Sequence, residues 1–435
     1  MHPRETGAMF SPLFRFLPVV VFTPFVFAAN FDRELIFAPH GGGAREDADI
    51  RAAQARTSAS GAKAADFESL GWTFIAKARR TLDAGYYKLA EKTADVWDAQ
   101  FGASPESRLL RGHVLHNVHC FREAETVARL LVIDRGRPED LALLSDALME
   151  QGKLAEAVDM LQRMVNLKPG VESYSRIAQL RWLKGDLAGA TAAMEMAMRA
   201  VTPRDDAAAA WTLTRLSGFY LAAGRTDAAL NAAEAAAQRV ADFPPALLAR
   251  GRVLLALGKI EAALDPLARA AALNPLPEYQ WWLADAQRAA GRADAAAKTE
   301  AALRASGEGS DPRTFALFLA TRRENLPTAL RLAREERETR ADVFTHDALA
   351  WAYAANGDFT AADTAMRAAL AERTPDARLL WHAGEIALRR GARDEAEEFF
   401  RRARPLAATL SPSEHSRLTA ATDKSLLTQN QQSHP

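Results

Sequence analysis

The sequence predicts an all-α solenoid of about ten stacked helical hairpins, ended by a C-terminal capping helix. Three observations predict it. The hydrophobic fraction of the 435 residues is 49%, much of it alanine, the best helix former, while β-branched residues are sparse. A pattern of small residues recurs at a nearly constant spacing. Each recurrence is long enough for two helices and too short to bury an apolar face alone, so neighbours must stack.

The first 29 residues stand outside this pattern. Arg4 and Arg15 precede an apolar run from Phe16 to Ala28, which ends in small residues. A basic start, a short apolar stretch and a small-residue end describe a cleaved secretory signal, with Met9 as an alternative start. The run is short for a bilayer span. The expected location is therefore periplasmic or secreted, and the alternative is tethering to the inner membrane by an uncleaved segment. Residues 30–65, with Gly41-Gly42-Gly43 and a polar, alanine-rich stretch, read as a largely disordered linker with room for a short helix near 45–57.

The repeat begins near residue 66. Its alanine falls at 90, 124, 157, 190, 229, 263, 296, 329, 362 and 396, with gaps of 33 or 34 residues and one of 39. Glycine stands five residues earlier in every unit except two, where His119 and Glu324 replace it. Twelve residues before the alanine lies Ala, Gly or Ser, as at Ala78, Gly112, Ser145, Gly251 and Gly384, with Leu317 as the exception. The glycine suits the end of a first helix, where positive φ costs it least. The small positions let paired helices approach closely. Prolines such as Pro169 and Pro275 suit the end of a second helix. The long gap divides the array into residues 66–200, four units, and 210–405, six units. The unit at 310–342 lacks the turn glycine and carries Pro327 early in its second helix. Beyond it all, in residues 406–435, Ser411-Pro412-Ser413-Glu414 has the form of a capped helix start, followed by a polar tail expected to be disordered.

These three in-phase positions resemble the tetratricopeptide repeat, over about residues 66–405. The segment His346-Asp-Ala-Leu-Ala-Trp351 is similar to exported bacterial members. The resemblance implies that one flank of each first helix lines a concave groove for partner polypeptides. Counted in that register, the flank carries Trp72, Trp182, Trp211, Trp281, Trp351 and Trp381, with Phe318 and Phe344. Tryptophan is enriched at binding hot spots, so an aromatic trough is expected. The alternative is that the rings pack between repeats, and a shift of one residue would move Trp281 and Trp381 into the core. Charges on the same flank include Arg79, Asp146, Glu150, Arg252, Asp285, Arg288, Asp347, Glu385 and Arg389; their mixed signs favour neither an acidic nor a basic ligand. The chaperone-type carboxylate clamp is absent.

Lys plus Arg and Asp plus Glu are equal at 55 each, which leaves no electrostatic footprint for nucleic acid. Cys120 is the only cysteine, so no internal disulfide forms. His113, His116 and Cys120 share a helix-like spacing near His119 and offer an alternative function in metal or cofactor handling. The blander reading makes Cys120 a small core residue and the histidines surface polar groups. No phosphate-binding loop, nucleophile elbow or zinc-hydrolase motif occurs, and the repeats leave no room for a catalytic domain. The expectation is a scaffold or assembly factor with a protein or peptide partner, no catalysis, no cofactor and no stable membrane anchor.

Overall fold

The computed structural model describes residues 32–81 and 83–432. The expected signal segment lies outside them. Among the described residues no helix is long and apolar enough to cross a membrane.

After a short helical stretch at residues 32–36 and helix α1 (Arg45–Ser58) come ten antiparallel helix pairs. Hairpin 1 is α2 (Ala64–Thr81) with α3 (Gly85–Phe101), and hairpin 2 is α4 (Pro105–Asn117) with α5 (Phe121–Asp134). Hairpin 3 is α6 (Pro138–Glu150) with α7 (Leu154–Leu167), and hairpin 4 is α8 (Val171–Leu183) with α9 (Leu187–Ala200). Hairpin 5 is α10 (Asp206–Ala222) with α11 (Thr226–Arg239), and hairpin 6 is α12 (Pro244–Ala256) with α13 (Ile260–Leu273). Hairpin 7 is α14 (Pro277–Ala289) with α15 (Ala293–Ser310), and hairpin 8 is α16 (Pro312–Arg322) with α17 (Leu326–Thr339). Hairpin 9 is α18 (Val343–Ala355) with α19 (Phe359–Leu370), and hairpin 10 is α20 (Ala377–Arg389) with α21 (Arg393–Ala403). A 3-10 stretch, Arg404–Thr409, leads to α22 (Pro412–Gln432).

The repeated alanine is buried in all ten hairpins, from Ala90 to Ala396. A side chain at the small position would not fit: a Cβ on Gly384 would stand 2.3 Å from the Phe400 ring, and one on Gly251 2.4 Å from Leu267. Where the turn glycine is missing, other residues accept the left-handed backbone. His119 takes φ 64° in hairpin 2; in hairpin 8 Arg323 takes 57° and Asn325 40°. Pro327 lies in the first turn of α17, where its missing N–H interrupts no helical bond. Gly85 departs from the expectation: it is the first residue of α3, not a left-handed turn residue. The longer gap is taken up by the connection after Ala200 and a longer α10, capped by Asp205.

The stretch read as a largely disordered linker is instead docked. Ile36, Ile50 and Ala53 are buried against Phe67, Leu70 and Phe74. Asp47 is the polar anchor: it accepts from Lys77 Nζ at 2.6 Å, His40 Nε2 lies 2.8 Å away, and its own carboxylate caps Ala44 N at 2.9 Å. Composition concealed this because the helix offers few large apolar residues; its hold depends on one buried carboxylate whose partner lies thirty residues away.

The superhelix closes on itself. The ends of α6 and α8 in hairpins 3 and 4 meet the connections that flank hairpin 9. Ala341 N donates to Glu150 O at 3.0 Å, Arg340 Nε to the Glu150 carboxylate at 3.0 Å, Lys184 Nζ to Glu372 at 2.8 Å, and Thr374 Oγ1 to Leu183 O at 2.6 Å. One apolar cluster runs through this seam, from Leu144 and Leu183 to Val343 and Leu379.

Candidate functional site

Successive first helices of the hairpins lie against one another, and the rings on them are not equally placed. Trp281, Trp381 and Phe318 are 3%, 1% and 0% exposed, which corrects their expected place in an open trough. The cause is contact between adjacent first helices. Trp281 meets Phe318 edge-on at 5.5 Å, and Trp381 meets Trp351 at 5.3 Å. Trp72, Trp182 and Trp351 are half-buried, and Trp211 is 42% exposed. Phe344 is half-buried; its ring stacks on Trp182, and the two line a hollow of about 660 Å³ with Arg176 and Arg340.

Two of the flank acids are also interior. Asp285 is fully buried and accepts from Arg322 at 2.6 Å, with Arg288 3.5 Å away. Asp347 is buried 2.9 Å from His382 Nδ1. The His382 ring lies flat on Trp351 at 4.0 Å, and Trp351 Nε1 donates to Thr321 Oγ1 at 3.0 Å. Sequence reasoning missed His382; its position beside Trp381 on an apolar helix face gave no chemical signal. Asp146 pairs with Arg176 through both oxygens, at 2.8 and 2.9 Å, and Glu150 belongs to the seam. The Asp146 carboxyl is held below its ordinary range because Arg176 outweighs burial, which acts the other way. Arg79 is exposed on α2, and Arg252 reaches the Thr409 carbonyl at 3.3 Å.

A cleft of about 800 Å³ opens on the edge of hairpins 8 to 10. Trp351, Glu385 and Arg389 line it together with Leu388, which is 37% exposed, and the buried Trp381 ring lies behind that lining. Its far side is the start of α22, through Arg417, Ala420 and Ala421. Arg323, Arg389 and Arg417 face one lining carboxylate, Glu385, so the mixed charge expected of the whole flank resolves here into a basic cleft. A second, central hollow of about 450 Å³ contains Trp182 and Trp211, with Arg215 and Arg252 beside Glu278 and Asp376.

The metal reading finds no site. His113 packs edge-on against Trp72 at 4.9 Å, and His116 and His119 lie against Phe121 at 5.2 and 5.5 Å. The Cys120 thiol faces Val118 O at 3.9 Å. Among the described residues no group of three His, Cys, Asp or Glu side chains is placed to share an ion. Burial, with help from Arg79, depresses the His113 pKa to about 3, so this imidazole is neutral.

A phase-locked stack of helix pairs with a shaped inner wall is an α-solenoid, a class built to present surface to other polypeptides. The tetratricopeptide repeat family model matches residues 220–276, 248–311 and 348–411; hairpins of the same form precede these residues, and hairpin 8 lies between them. The chain is a tetratricopeptide repeat protein. Proteins of this kind serve as interaction scaffolds and are generally noncatalytic. No curated protein matches the sequence. Similar solved structures include a tetratricopeptide repeat protein from Parabacteroides merdae, 20% identical over 58% of this chain and 98% of that one, with a TM-score of 0.33. Yeast Tom70 is 12% identical over 94% and 97%, with a TM-score of 0.36. The human IFIT1 dimer with PPP-AAAA is 13% identical over 87% and 100%, with a TM-score of 0.47.

Proposed function

We propose that the protein is a noncatalytic scaffold that holds a polypeptide segment of a partner in the cleft of hairpins 8 to 10. The carrying observation is the pairing of exposed Leu388 and half-buried Trp351 with three arginines at one cleft. Apolar surface at the floor supplies affinity, and cations at the rim select and orient. The favoured segment has an apolar side chain for the Trp351 wall and carboxylates for Arg323, Arg389 and Arg417. Salt would weaken such binding, because the rim arginines are solvent-facing. The basic, apolar N-terminus supports export, so the partner is sought in the cell envelope.

The test is capture from envelope extract with the tagged chain and a Leu388→Asp/Arg389→Glu variant. Both residues are exposed, so the variant is expected to keep the helical spectrum, with a small loss in melting point, while losing its partner. A partner captured equally by both proteins would move the binding site elsewhere. Fractionation of the native host tests export: full-length chain in the cytosol would reject it.

A further inference from the structure

The chain's last segment does more than cover the final hairpin. Leu406, Leu410, Leu418 and Ala421 do bury there, with Trp381, Phe400 and Ala403. The segment then crosses the inner wall and is gripped by first helices along it. Arg252 of hairpin 6 donates to Thr409 O at 3.3 Å. Asp285 of hairpin 7 accepts from Ser411 Oγ at 2.6 Å and Ser413 Oγ at 2.5 Å. Thr321 O of hairpin 8 accepts from Arg417 at 2.8 Å, and Arg378 of hairpin 10 holds both oxygens of Glu414, at 2.6 and 3.2 Å. α22 thus lies where a scaffold of this shape would seat a guest helix.

Two features make the seat suited to exchange. Beside the apolar anchor of Leu418 and Ala421 its grip is polar, and a buried polar network specifies a geometry more than it adds net stability. Its charges also stay compensated when α22 leaves. Asp285 keeps Arg322 at 2.6 Å, and Arg378 has Asp376 and Asp347 near enough to favour its charge. An emptied seat therefore strands no lone buried ion, which is the costly event in breaking such contacts.

We propose that this seat is an interaction surface for a partner's helix, which enters as α22 leaves. The guest has the chemistry of the occupant: hydroxyl groups just before and within the first turn of the helix for Asp285, a carboxylate in the first turn for Arg378, and Arg-Leu one turn later. The inference rests on the scaffold reading and adds a second mode of occupancy, in which a helical guest takes the place of α22 and supplies in its turn the cleft wall that Arg417 now forms.

A fluorescein-labelled peptide with the sequence of residues 410–422 is the probe, and the full chain is the receptor. Leu418→Asp in the chain would expel its own helix. The peptide is expected to bind this variant at least about tenfold more tightly than the wild type, and Arg378→Glu added to it should remove binding. A folded, monomeric Leu418→Asp chain that binds no better than wild type overturns the proposal. So does a variant that elutes as a dimer, which would assign the seat to a second copy. Should Leu418→Asp fail to fold, Ser411→Ala/Ser413→Ala replaces it with the same outcomes. Leu388→Asp/Arg389→Glu spares the contacts of the seat, so partner capture by this variant equal to that of the wild type sinks the cleft reading alone.

Discussion

Trp182 and Phe344 stack with ring centroids 5.4 Å apart and planes 26° from parallel, although they belong to hairpins 4 and 9. The stack sits in the seam that closes the superhelix, beside the Glu150–Arg340 and Lys184–Glu372 pairs. Gly152 makes that approach possible. Its φ is 69°, and a Cβ there would come within 2.4 Å of Ala341 O.

Gly152→Ala should therefore part the seam while leaving each hairpin formed. The positive φ alone costs a non-glycine residue roughly 1 kcal/mol, and the clash adds to it. Small-angle scattering should show a larger radius of gyration with unchanged helical circular dichroism. An unchanged radius would mean the seam does not hold the shape.

Trp381 and Leu388 lie two turns apart on α20 and should answer unequally. Trp381→Ala removes a fully buried ring, at a cost of about 3–5 kcal/mol. Leu388→Asp, at the exposed end of the same face, should cost much less, about 1 kcal/mol. Denaturant titration of the two variants measures both; equal losses would contradict their placement.

Gly384→Ala tests close packing within a hairpin. The new methyl would press on the Phe400 ring, and overpacking of this kind costs typically about 1–3 kcal/mol. A variant as stable as the wild type would show that α20 and α21 have room to separate.

The array should lose stability in mild acid. His113 is held neutral, with its pKa near 3, and burial lowers His116, His119 and His346 as well. The unfolded chain binds protons at these positions below its ordinary imidazole pKa of about 6.5, while the folded chain does not. Stability is thus full above that value and falls as pH drops from there towards 3. His113→Phe should flatten the dependence of melting temperature on pH between about 6.5 and 4. An equally steep profile in the variant would assign the acid loss to other groups.

Asp47 should control the docking of α1. Asp47→Asn removes the charge that holds Lys77 and is expected to speed amide exchange over residues 45–58 while hairpins 3 to 10 remain protected. Uniform exchange changes along the chain would contradict a local role.

The hairpins were legible in the sequence because their constraint is local. Two helices can meet only where Ala263 or Gly251 leaves space, and that need repeats with the unit. The open part of the wall was only half legible. Helical spacing places Trp281 and Trp351 on one flank, but it does not tell a ring facing the trough from one wedged against the next first helix. Trp281 is wedged against Phe318, while Trp351 keeps an edge on the cleft. The seam and the seat of α22 were not legible. Lys184 and Glu372, or Ser411 and Asp285, are paired by the curvature accumulated over many hairpins, which no short pattern records.

An open row of repeats can be shortened from either end, since each unit answers only to its neighbours. The seam removes that divisibility. Cutting away hairpins 9 and 10 would uncover Leu144 and Leu183 near the opposite end of the row, so fragments of this chain should be poorer models of the whole than fragments of a linear array. Its folding must also await contacts between distant stretches, and formation should be correspondingly slow and cooperative.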